Sequence, residues 1–484
     1  MESDRSMTLP ALTKRSSAWK LHLGERRLVL IAGDFLMAVI ALLLSLVYWG
    51  TTVRFIDFNT EFLLERIPAW FYWMPVFWII LLVELYDVHR AGSWSATLRG
   101  VAAAALIGFG VYLLLYFYYV DPPKSLLPRR GVASFLILAS LLTLLWRWLY
   151  IRIFTGIQFM RRVLVVGGGK TGEALLQTAS NIFPPPFYVV GIIDDDPEKL
   201  AKTIEGYPVL GGSDNLLSIA DKEKVTDIIV AITGEMQGKM FQSLLDAQEC
   251  GIQIIRMPKA YERLVARVPI RMLEADWILR SFVDELPSSG FYEVGKRSID
   301  LLGGLIGTAI TVVLFPFLAL AILIDDGRPV IFTQTRSGRG GQSYKIIKLR
   351  TMRRDAEADG LPQWAREDDI RATRVGRFLR RTHLDELPQF LNVLRGEMSL
   401  VGPRAERPEL VQMFQKHVPF YRARLLVKPG ITGWAQINMG YASTIDETII
   451  KLEYDLYYIK HRSLALDFLI LLRTPATVLG FRGR

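Results

Sequence analysis

The sequence predicts a membrane protein in three parts: a bundle of four transmembrane helices, a Rossmann-like doubly wound α/β domain, and a monotopic C-terminal domain with a re-entrant helix. Hydrophobic residues make up 51% of the 484 residues and the mean hydropathy is +0.26, which is too apolar for an ordinary soluble enzyme. The longest apolar runs lie near the N-terminus and near residue 300, with strand-like segments between them. We therefore predict domains at 1–157, 158–270 and 271–484.

Four apolar runs in the first part are each long enough to cross the hydrocarbon core of a bilayer, at about 28–50, 68–86, 98–120 and 131–154. Basic residues precede the first run and border the exit of the fourth: Lys14, Arg15, Lys20, Arg26, Arg27, then Arg147, Arg152, Arg161 and Arg162. The positive-inside rule therefore places both ends of the bundle in the cytoplasm. Asp34 and Glu84 fall inside the runs, where a position near a helix end or a packed hydrogen bond is expected.

A glycine-rich turn marks the α/β domain. The strand-like segment Arg162–Val166 leads into it, and Gly167, Gly169 and Gly172 have the spacing of a dinucleotide-binding fingerprint, with Asp194 at a suitable distance for a ribose contact. A glycine fingerprint alone is a weak signal. A structural role, a regulatory nucleotide site and a role in dimerisation therefore stay open. A P-loop is excluded, because Leu164 stands where its first glycine is needed.

A further apolar run, Ile299–Ile324, contains Pro316 and has basic residues on both sides. Proline removes a backbone hydrogen bond inside a helix. Two structures fit the pattern: a re-entrant helix over about 296–324 that breaks at Pro316, or a kinked helix that crosses the bilayer. The segment 464–481 is apolar but interrupted by charges, which favours a helix that lies at the membrane interface or packs against the domain.

Two adjacent carboxylates, Asp385 and Glu386, provide the strongest chemical signal. The segment Asp385–Arg395 has apolar residues at helical spacing and ends at Gly396, so a short helix is predicted with Asp385 near its N-cap. A carboxylate at that position is expected to stay ionised at neutral pH, which suits a nucleophile or a metal ligand. The plainer alternative is a capping residue beside a solvated acid.

Cations surround this acidic pair. They are Lys345, Lys348, Arg350, Arg353, Arg354, Arg371, Arg374, Arg377, Arg380, Arg381, Arg404 and Arg407. Forked guanidinium groups bind phosphate oxygens in pairs, so the cluster fits a pyrophosphate substrate with a divalent ion. A basic face that rests on anionic lipid headgroups is the alternative, and both roles are compatible.

Several motifs occur in one order along the C-terminal part: Lys296-Arg297-x-x-Asp300, Lys348-x-Arg350-Thr351-Met352, Arg381-Thr382-x-Leu384-Asp385-Glu386-Leu387-Pro388-Gln389, Asn392-Val393-Leu394-Arg395-Gly396 to Gly402-Pro403-Arg404, and Lys428-Pro429-Gly430-Ile431-Thr432-Gly433-Trp434-Ala435-Gln436. With these motifs the chain resembles the bacterial polyprenyl-phosphate hexose-1-phosphate transferases, large membrane enzymes that initiate exopolysaccharide synthesis. The resemblance is specific over about 288–484.

The resemblance implies a two-step transfer with a covalent intermediate. Asp385 would attack the β-phosphate of a UDP-sugar and expel UMP, and undecaprenyl phosphate would then accept the phosphosugar. Glu386 would hold Mg²⁺, and Pro316 would mark the break of the re-entrant helix. The implied phosphate- or substrate-binding residues are Lys296, Arg297, Lys348, Arg350, Arg381, Arg404, Arg407 and Gln436.

The resemblance also implies a location and a set of partners. We expect a multi-pass protein of the bacterial inner membrane whose catalytic domain faces the cytoplasm, in contact with membrane lipids. The single cysteine, Cys250, fits a reducing compartment. No nucleic-acid partner is expected, and a homodimer stays open.

The identity of the sugar is the weakest inference. The chain reads Ala405-Glu406-Arg407 after Arg404, where many relatives have proline, so Arg407 could share the phosphate-clamping role. It also reads Met439-Gly440-Tyr441 after Asn438, where Gly-Arg is more usual. The C-terminal segment resembles the exosortase-associated branch of the family, which makes glucose or galactose 1-phosphate the expected group.

Two rival functions belong to other classes. A membrane-tethered nucleotide-sugar dehydrogenase or epimerase would use the glycine turn, with Tyr292-x-x-x-Lys296 as its proton-transfer pair. That reading leaves residues 340 to 440 unexplained. A non-catalytic scaffold for polysaccharide assembly is the other rival.

Overall fold

The computed structural model describes residues 23–52, 63, 67–86, 91–118, 129–154, 160–182, 185–272, 282, 290–353, 371–440 and 444–478. The chain divides into two compact units, Met1–Leu264 and Val265–Arg484. The three-domain boundaries expected from the sequence stay a prediction.

Long apolar helices form the first part of unit one. They are α1 (Leu23–Thr52), α3 (Trp94–Tyr118) and α4 (Arg129–Phe154), with the short α2 (Met74–Leu81) between the first two. The three long helices match the first, third and fourth predicted spans, and each is long and apolar enough to cross a membrane.

The second predicted span, 68–86, differs from the expectation. It consists of α2 flanked by two 3₁₀ turns, Ala69–Trp73 and Val83–Tyr86, and is not one long helix. Pro75 lies in the first turn of α2, where the missing N–H of a proline is tolerated. The helical segment runs from Ala69 through Pro75 to Leu81, and the second 3₁₀ turn follows after Leu82.

A buried ion pair joins α1 to α4. Asp34 Oδ2 lies 2.6 Å from Arg147 Nη2, and both side chains are 0% exposed. Arg147 Nη1 also donates to the carbonyl oxygen of Leu85. Asp34 thus has the packed hydrogen bonding expected for it. Arg147, expected as a flanking charge, lies inside the bundle instead.

An α/β sheet follows in the same unit. Its strands are β1 (Arg162–Val166), β2 (Tyr188–Ile193), β3 (Thr203–Ile204), β4 (Tyr207–Gly211), β5 (Asp227–Val230) and β6 (Gln253–Arg256). Its helices are α5 (Lys170–Ser180), α6 (Leu216–Lys222), α7 (Gly238–Glu249) and α8 (Met257–Val265). The strand order is β3-β4-β2-β1-β5-β6, parallel except for β3. The predicted α/β domain is confirmed, and its glycine turn lies at the carboxyl end of the central strand β1.

Unit two contains a 37-residue helix, α9 (Gly290–Asp326). Two short sheets follow: the antiparallel hairpin β7 (Ile331–Ser337) and β8 (Ser343–Leu349), and the parallel pair β9 (Ser399–Val401) and β10 (Gly430–Thr432). The other α-helices in the described part of unit two are α10 (Arg374–Thr382), α11 (Gln389–Arg395), α12 (Pro408–His417), α13 (Trp434–Asn438), α14 (Ile445–Lys460) and α15 (Leu464–Val478).

Helix α9 contains Pro316 in its interior and does not end there. One face packs on unit two both before and after the proline: Gly307 lies against Phe390, and Ile322 packs in a cluster with Leu349 and Leu379. The other face exposes large apolar side chains, among them Leu302, Leu305, Ile306, Val313, Phe317 and Leu320. By length and composition the helix could also cross a membrane. The re-entrant course therefore stays a prediction. The expected break of the helix at Pro316 is not seen, because one continuous helix runs from Gly290 to Asp326.

Candidate active site

The acidic pair lies in a 3₁₀ turn, Leu384–Glu386, between α10 and α11. His383 precedes it in a left-handed conformation with φ of 56°, which ends α10 and reverses the chain. Helix α11 begins only at Gln389, after Pro388. The sequence placed the start of this helix at Asp385, which is wrong by four residues. Asp385 is therefore not an N-cap.

Glu386 lies between two cations. Its Oε1 atom accepts hydrogen bonds from Lys348 Nζ at 2.8 Å and from Arg404 Nη2 at 2.7 Å. Burial alone would raise the pKa of Glu386, but Arg404 and Lys348 outweigh it and hold the pKa well below its usual range. Glu386 is therefore a permanent anion that fixes both cations beside its neighbour.

Asp385 is 8% exposed and has a different environment. Burial and the negative charge of Glu386 raise the pKa of Asp385 to about 6, against the opposing effects of Lys348, Arg404 and Arg380. No described residue donates a hydrogen bond to its carboxylate. The sequence predicts that Asp385 is ionised at neutral pH. With a pKa of about 6, most of the Asp385 carboxyl groups are still ionised at pH 7. The expected cause, a helix cap, is replaced by a cluster of cations.

Backbone contacts bring Lys348 and Arg404 to the acidic pair. Lys348 lies on β8, and Asn392 of α11 ties this strand to its own helix: Asn392 Oδ1 accepts from the N–H of Ile347, and its Nδ2 donates to the carbonyl oxygen of Lys345. Arg404 follows β9, and Arg424 Nη2 donates to its carbonyl oxygen at 2.9 Å. Asn392 and Arg424 are thus positioning residues. Neither role is evident from the sequence, although Asn392 belongs to the motif that ends at Gly396.

Glycines allow the loop that carries Arg404 to lie close to the next loop. A side chain at Gly402 would collide with the carbonyl oxygen of Lys428, and one at Gly430 would collide with the backbone of Gly402. Only hydrogen fits between these two backbones. The Gly-Pro-Arg and Lys-Pro-Gly motifs are therefore two halves of one packed structure.

The basic motif of α9 holds the frame of the site. Arg297 donates to the carbonyl oxygens of Val393 and Leu394 at the C-terminal end of α11, at 2.9 and 2.8 Å. Lys296 donates to the carbonyl oxygen of Val401 and pairs with Asp467 at 3.1 Å. These contacts give both residues a structural task. The phosphate-binding role expected for them stays a prediction.

Asp300 completes the motif: its Oδ1 accepts hydrogen bonds from Ser399 Oγ and from the N–H of Leu400, both at 2.9 Å. The side chain is 3% exposed. Asp300 therefore ties α9 to β9, the strand that leads to Arg404.

The other predicted substrate-binding residues form different contacts or are exposed. Arg350 pairs with Asp326 and donates to backbone carbonyls at the C-terminal end of α9. Arg381 is exposed on α10, and Arg407 is the N-cap residue of α12. Gln436 donates from Nε2 to the carbonyl oxygen of Ile431. Among the predicted cations that the structure describes, Lys348 and Arg404 donate hydrogen bonds to Glu386.

A magnesium site can be tested against the donor set. The described residues contain no group of three His, Cys, Asp or Glu side chains placed to hold a metal. Magnesium bound with a nucleotide usually takes one or two carboxylates and completes its shell with phosphate oxygens and water. Two adjacent carboxylates, Asp385 and Glu386, therefore fit an ion that arrives with a diphosphate.

In the predicted dinucleotide site of unit one, a side chain of the protein itself binds the glycine loop. The N–H of Gly168 donates to Asp194 Oδ2 at 2.7 Å, and Lys199 Nζ contacts the same oxygen at 3.0 Å. Gly167, with φ of +102°, forms the turn, and Ile204 lies against Gly168. Asp194 thus accepts the hydrogen bond of a glycine-loop N–H group that would otherwise be available to a bound diphosphate. The nucleotide role of Gly167, Gly169, Gly172 and Asp194 stays a prediction.

The rival proton-transfer pair is engaged elsewhere. The Tyr292 hydroxyl donates to Asp467 Oδ2 at 3.1 Å, and Lys296 donates to the same oxygen. Both side chains are thus tied to a buried acid that is 1% exposed. This arrangement does not favour the dehydrogenase or epimerase reading.

Two family models match the chain. One is a bacterial sugar transferase domain over residues 291–481, and the other is a CoA-binding domain over residues 82–258. The first match covers all the residues of unit two described above as a site.

Curated relatives have consistent names. The chain is 41% identical over 234 residues to a UDP-N-acetylgalactosamine-undecaprenyl-phosphate N-acetylgalactosaminephosphotransferase of Aeromonas hydrophila, over 48% of this chain and 54% of that protein. It is 33% identical over 330 residues to a UDP-glucose:undecaprenyl-phosphate glucose-1-phosphate transferase of Escherichia coli strain K12, over 65% of this chain and 67% of that protein.

A protein of the same name from Caulobacter vibrioides is 41% identical over 189 residues, which cover 39% of this chain and 70% of the relative. The match thus spans just over half of the Aeromonas protein and about two thirds of the other two. With the ordered motifs and the domain match, these similarities settle the family. The chain belongs to the bacterial sugar transferases.

Proposed function

We propose that this protein transfers a hexose 1-phosphate from a UDP-sugar to undecaprenyl phosphate, releases UMP, and forms a covalent phosphosugar intermediate on Asp385. The observation that carries the proposal is the contrast within the acidic pair. Glu386 is held by Lys348 and Arg404, whereas the neighbouring Asp385 carboxylate accepts no hydrogen bond from a described residue. A desolvated carboxylate beside fixed cations is suited to nucleophilic attack on phosphorus.

The reaction would proceed in two displacements. A carboxylate oxygen of Asp385 attacks the β-phosphorus of the UDP-sugar, and the bond from that phosphorus to the bridging oxygen breaks. The electron pair of this bond leaves with UMP. A phosphate oxygen of undecaprenyl phosphate then attacks the same phosphorus, the acyl phosphate bond breaks, and the Asp385 carboxylate is regenerated.

Lys348 and Arg404 would stabilise the charge on the transferring phosphoryl group. Both lie beside Asp385, and each has donors beyond the one used by Glu386. Their position costs no reorganisation during the reaction, since Asn392 and Arg424 hold the elements that carry them. Magnesium, when bound with the substrate through Glu386, would supply further charge neutralisation.

Helix α9 supports a membrane location for the site. Its exposed apolar face would lie in lipid, while its other face contacts unit two along most of the length. A helix held to one unit in this way is easier to reconcile with entry and exit on one side of a bilayer than with a free crossing. We propose that this side is the cytoplasmic face of the inner membrane, where UDP-sugars are available.

The sugar remains open within one class. Relatives named for glucose and for N-acetylgalactosamine both match the chain. The acceptor and the reaction type are common to their names, whereas the hexose is not. Mass spectrometry of the lipid product from a panel of UDP-sugars would identify it. A role in initiating exopolysaccharide synthesis is a further part of the proposal.

Trapping the intermediate tests the proposal. The purified full-length protein is incubated with a UDP-sugar labelled in the β-phosphate, without acceptor, and then denatured. Label should stay on the wild-type protein and should be removed by hydroxylamine, which cleaves acyl phosphates. Asp385→Asn should retain no label, whereas Glu409→Gln, an exposed acid on α12, should label normally. Wild-type labelling in Asp385→Asn would refute attack by Asp385.

A further inference from the structure

A basic cleft lies at the N-terminal end of α9, apart from the acidic pair. The cleft has room for about 50 Å³ of water and is open to solvent. Its charged lining consists of five cations and two carboxylates: Lys296, Arg297, Arg339, Lys428, Arg462, Glu293 and Asp300. The lining therefore has an excess of positive charge.

Most of these charged groups are already paired. Lys296 pairs with Asp467, Arg462 lies 3.7 Å from Glu293, and Asp300 accepts hydrogen bonds from β9. Lys428 and Arg339 are different, because neither side chain forms a hydrogen bond or an ion pair with any residue that the structure describes. These two cations are the ones free to meet a ligand.

Lys428 is also surrounded by like charge. A side chain added at Gly396 would lie 3.6 Å from both Lys428 Nζ and Arg297 Nη2, so the two cationic groups flank the same small space. Partial burial, then the charge of Arg297 and later that of Arg339, lower the pKa of Lys428, while Asp300 opposes the shift. An anion in the cleft would relieve this repulsion.

The position of the cleft indicates the source of the anion. Its lining residues on α9 end at Asp300, and the exposed apolar face of the helix continues with Leu301 and Leu302. A lipid with its headgroup in the cleft could therefore lay its chains along this apolar face. Clusters of basic groups beside membrane helices bind anionic headgroups in this way.

The cleft is too far from Asp385 for its ligand to react there. Arg297, in the cleft, contacts the C-terminal end of α11, whereas Asp385 precedes the N-terminal end. Seven residues of helix separate the two ends by about 10 Å. A phosphate in the cleft would thus be a bound but unreactive group.

We propose that Lys428 and Arg339 form a second phosphate site that binds the phosphate headgroup of an anionic lipid and holds the N-terminal end of α9 at the level of the lipid phosphates. The proposal rests on the proposed membrane placement of α9, but not on the chemistry proposed for Asp385. Its failure would leave the transferase proposal intact.

Lipid binding to the full-length protein in neutral detergent tests this site. Phosphatidic acid is titrated and bound copies are counted by native mass spectrometry, for wild type and for Lys428→Gln with Arg339→Gln. We expect the Kd of at least one bound lipid to rise by about tenfold or more in the double variant, because two charge-assisted contacts are lost. The matched control is Lys416→Gln with Arg422→Gln, two exposed cations of the same unit, which should bind as wild type.

The outcomes separate the sources of phosphate. Equal binding by the cleft variant and wild type, or equal loss in the control, would overturn the proposal. Full displacement of the lipid by millimolar inorganic phosphate would overturn its lipid part, since the acyl chains would then add no affinity. If the double variant does not fold, Arg339→Gln alone replaces it, because Arg339 is exposed. This single variant should show part of the loss of lipid affinity.

Discussion

Arg424 donates a hydrogen bond from Nη2 to the carbonyl oxygen of Arg404, so one arginine fixes the backbone of another. The Arg424 side chain is 3% exposed, and Asp455 lies 2.9 Å from its guanidinium group. Tyr421 accepts a further hydrogen bond from it at 2.7 Å. The guanidinium that faces Glu386 thus has its main chain anchored in the core of unit two.

Replacement of Arg424 should affect turnover through Arg404. Arg424→Lys retains the charge but cannot reach Tyr421, Asp455 and Arg404 together, so Arg404 should be misplaced. We expect kcat to fall by about tenfold to a hundredfold with a smaller change in KM. Steady-state kinetics with a UDP-sugar and an undecaprenyl phosphate analogue measure this split. The control is Arg422→Lys, because Arg422 is exposed on the 3₁₀ turn Tyr421–Leu426 that also carries Arg424. An equal effect of both changes would contradict the positioning role.

The pH dependence should report Asp385. Because its pKa is raised to about 6 and the ionised form is the nucleophile, the UMP exchange half-reaction should slow as pH falls through about 6. Below that pH the rate should drop about tenfold per pH unit. Initial rates of UMP exchange, measured over a pH series at saturating magnesium, give the acid limb of the pH–rate profile. A limb near 4, the ordinary range of an aspartate, would contradict the buried environment.

Glu386→Gln should change both the pH profile and the metal dependence. The neutral side chain removes the negative charge that helps to raise the pKa of Asp385, so the acid limb should move to lower pH. It also removes a proposed magnesium ligand, so more magnesium should be needed for half-maximal exchange. An unchanged magnesium titration would exclude Glu386 as a ligand, and Glu409→Gln controls for the loss of one acid.

The buried pair Asp34–Arg147 should be needed for the stability of unit one. Asp34→Asn leaves Arg147 without its counter-ion in a fully buried position, which should destabilise the bundle by about 3–5 kcal/mol. Thermal unfolding of the purified protein in detergent measures the loss. Asp34→Asn with Arg147→Met should be less harmful than Asp34→Asn alone. A single variant as stable as wild type would show that the pair contributes little.

Unit one should not respond to a dinucleotide. Asp194 already accepts the N–H of Gly168, so the anion-binding position of the glycine turn is taken. We expect millimolar NAD⁺ to leave the unfolding temperature unchanged, whereas Asp194→Ala should lower the stability by about 1–3 kcal/mol through lost hydrogen bonds. A rise of the unfolding temperature with NAD⁺ would reveal a dinucleotide site.

The sequence predicted the classes of element better than the contacts between them. The lengths of the apolar runs predicted α1, α3 and α4, and the strand-turn-helix pattern at Gly167 predicted the α/β sheet. The second predicted span is interrupted at Leu82, between α2 and the 3₁₀ turn Val83–Tyr86, and no proline marks that point in the sequence. Pro388 is the N-cap residue of α11, whereas the sequence pattern placed it inside the first turn.

The candidate site shows the other limit. Asp385 and Glu386 stand out in the sequence, but the opposite shifts of their pKa values depend on burial and on Lys348 and Arg404, which are distant in the chain. Spacing cannot reveal that Arg297 holds the end of α11 rather than remaining free for a substrate. Pairings between distant side chains decide these roles.

The contacts of Lys296, Arg297 and Asp300 join α9 to both β9 and α11. Anything that pushes or tilts this helix would carry the nucleophile with it as one rigid piece. If α9 is embedded as proposed, the height of Asp385 above the acyl chains is set by bilayer thickness. The catalytic rate should then vary with acyl-chain length in reconstituted vesicles.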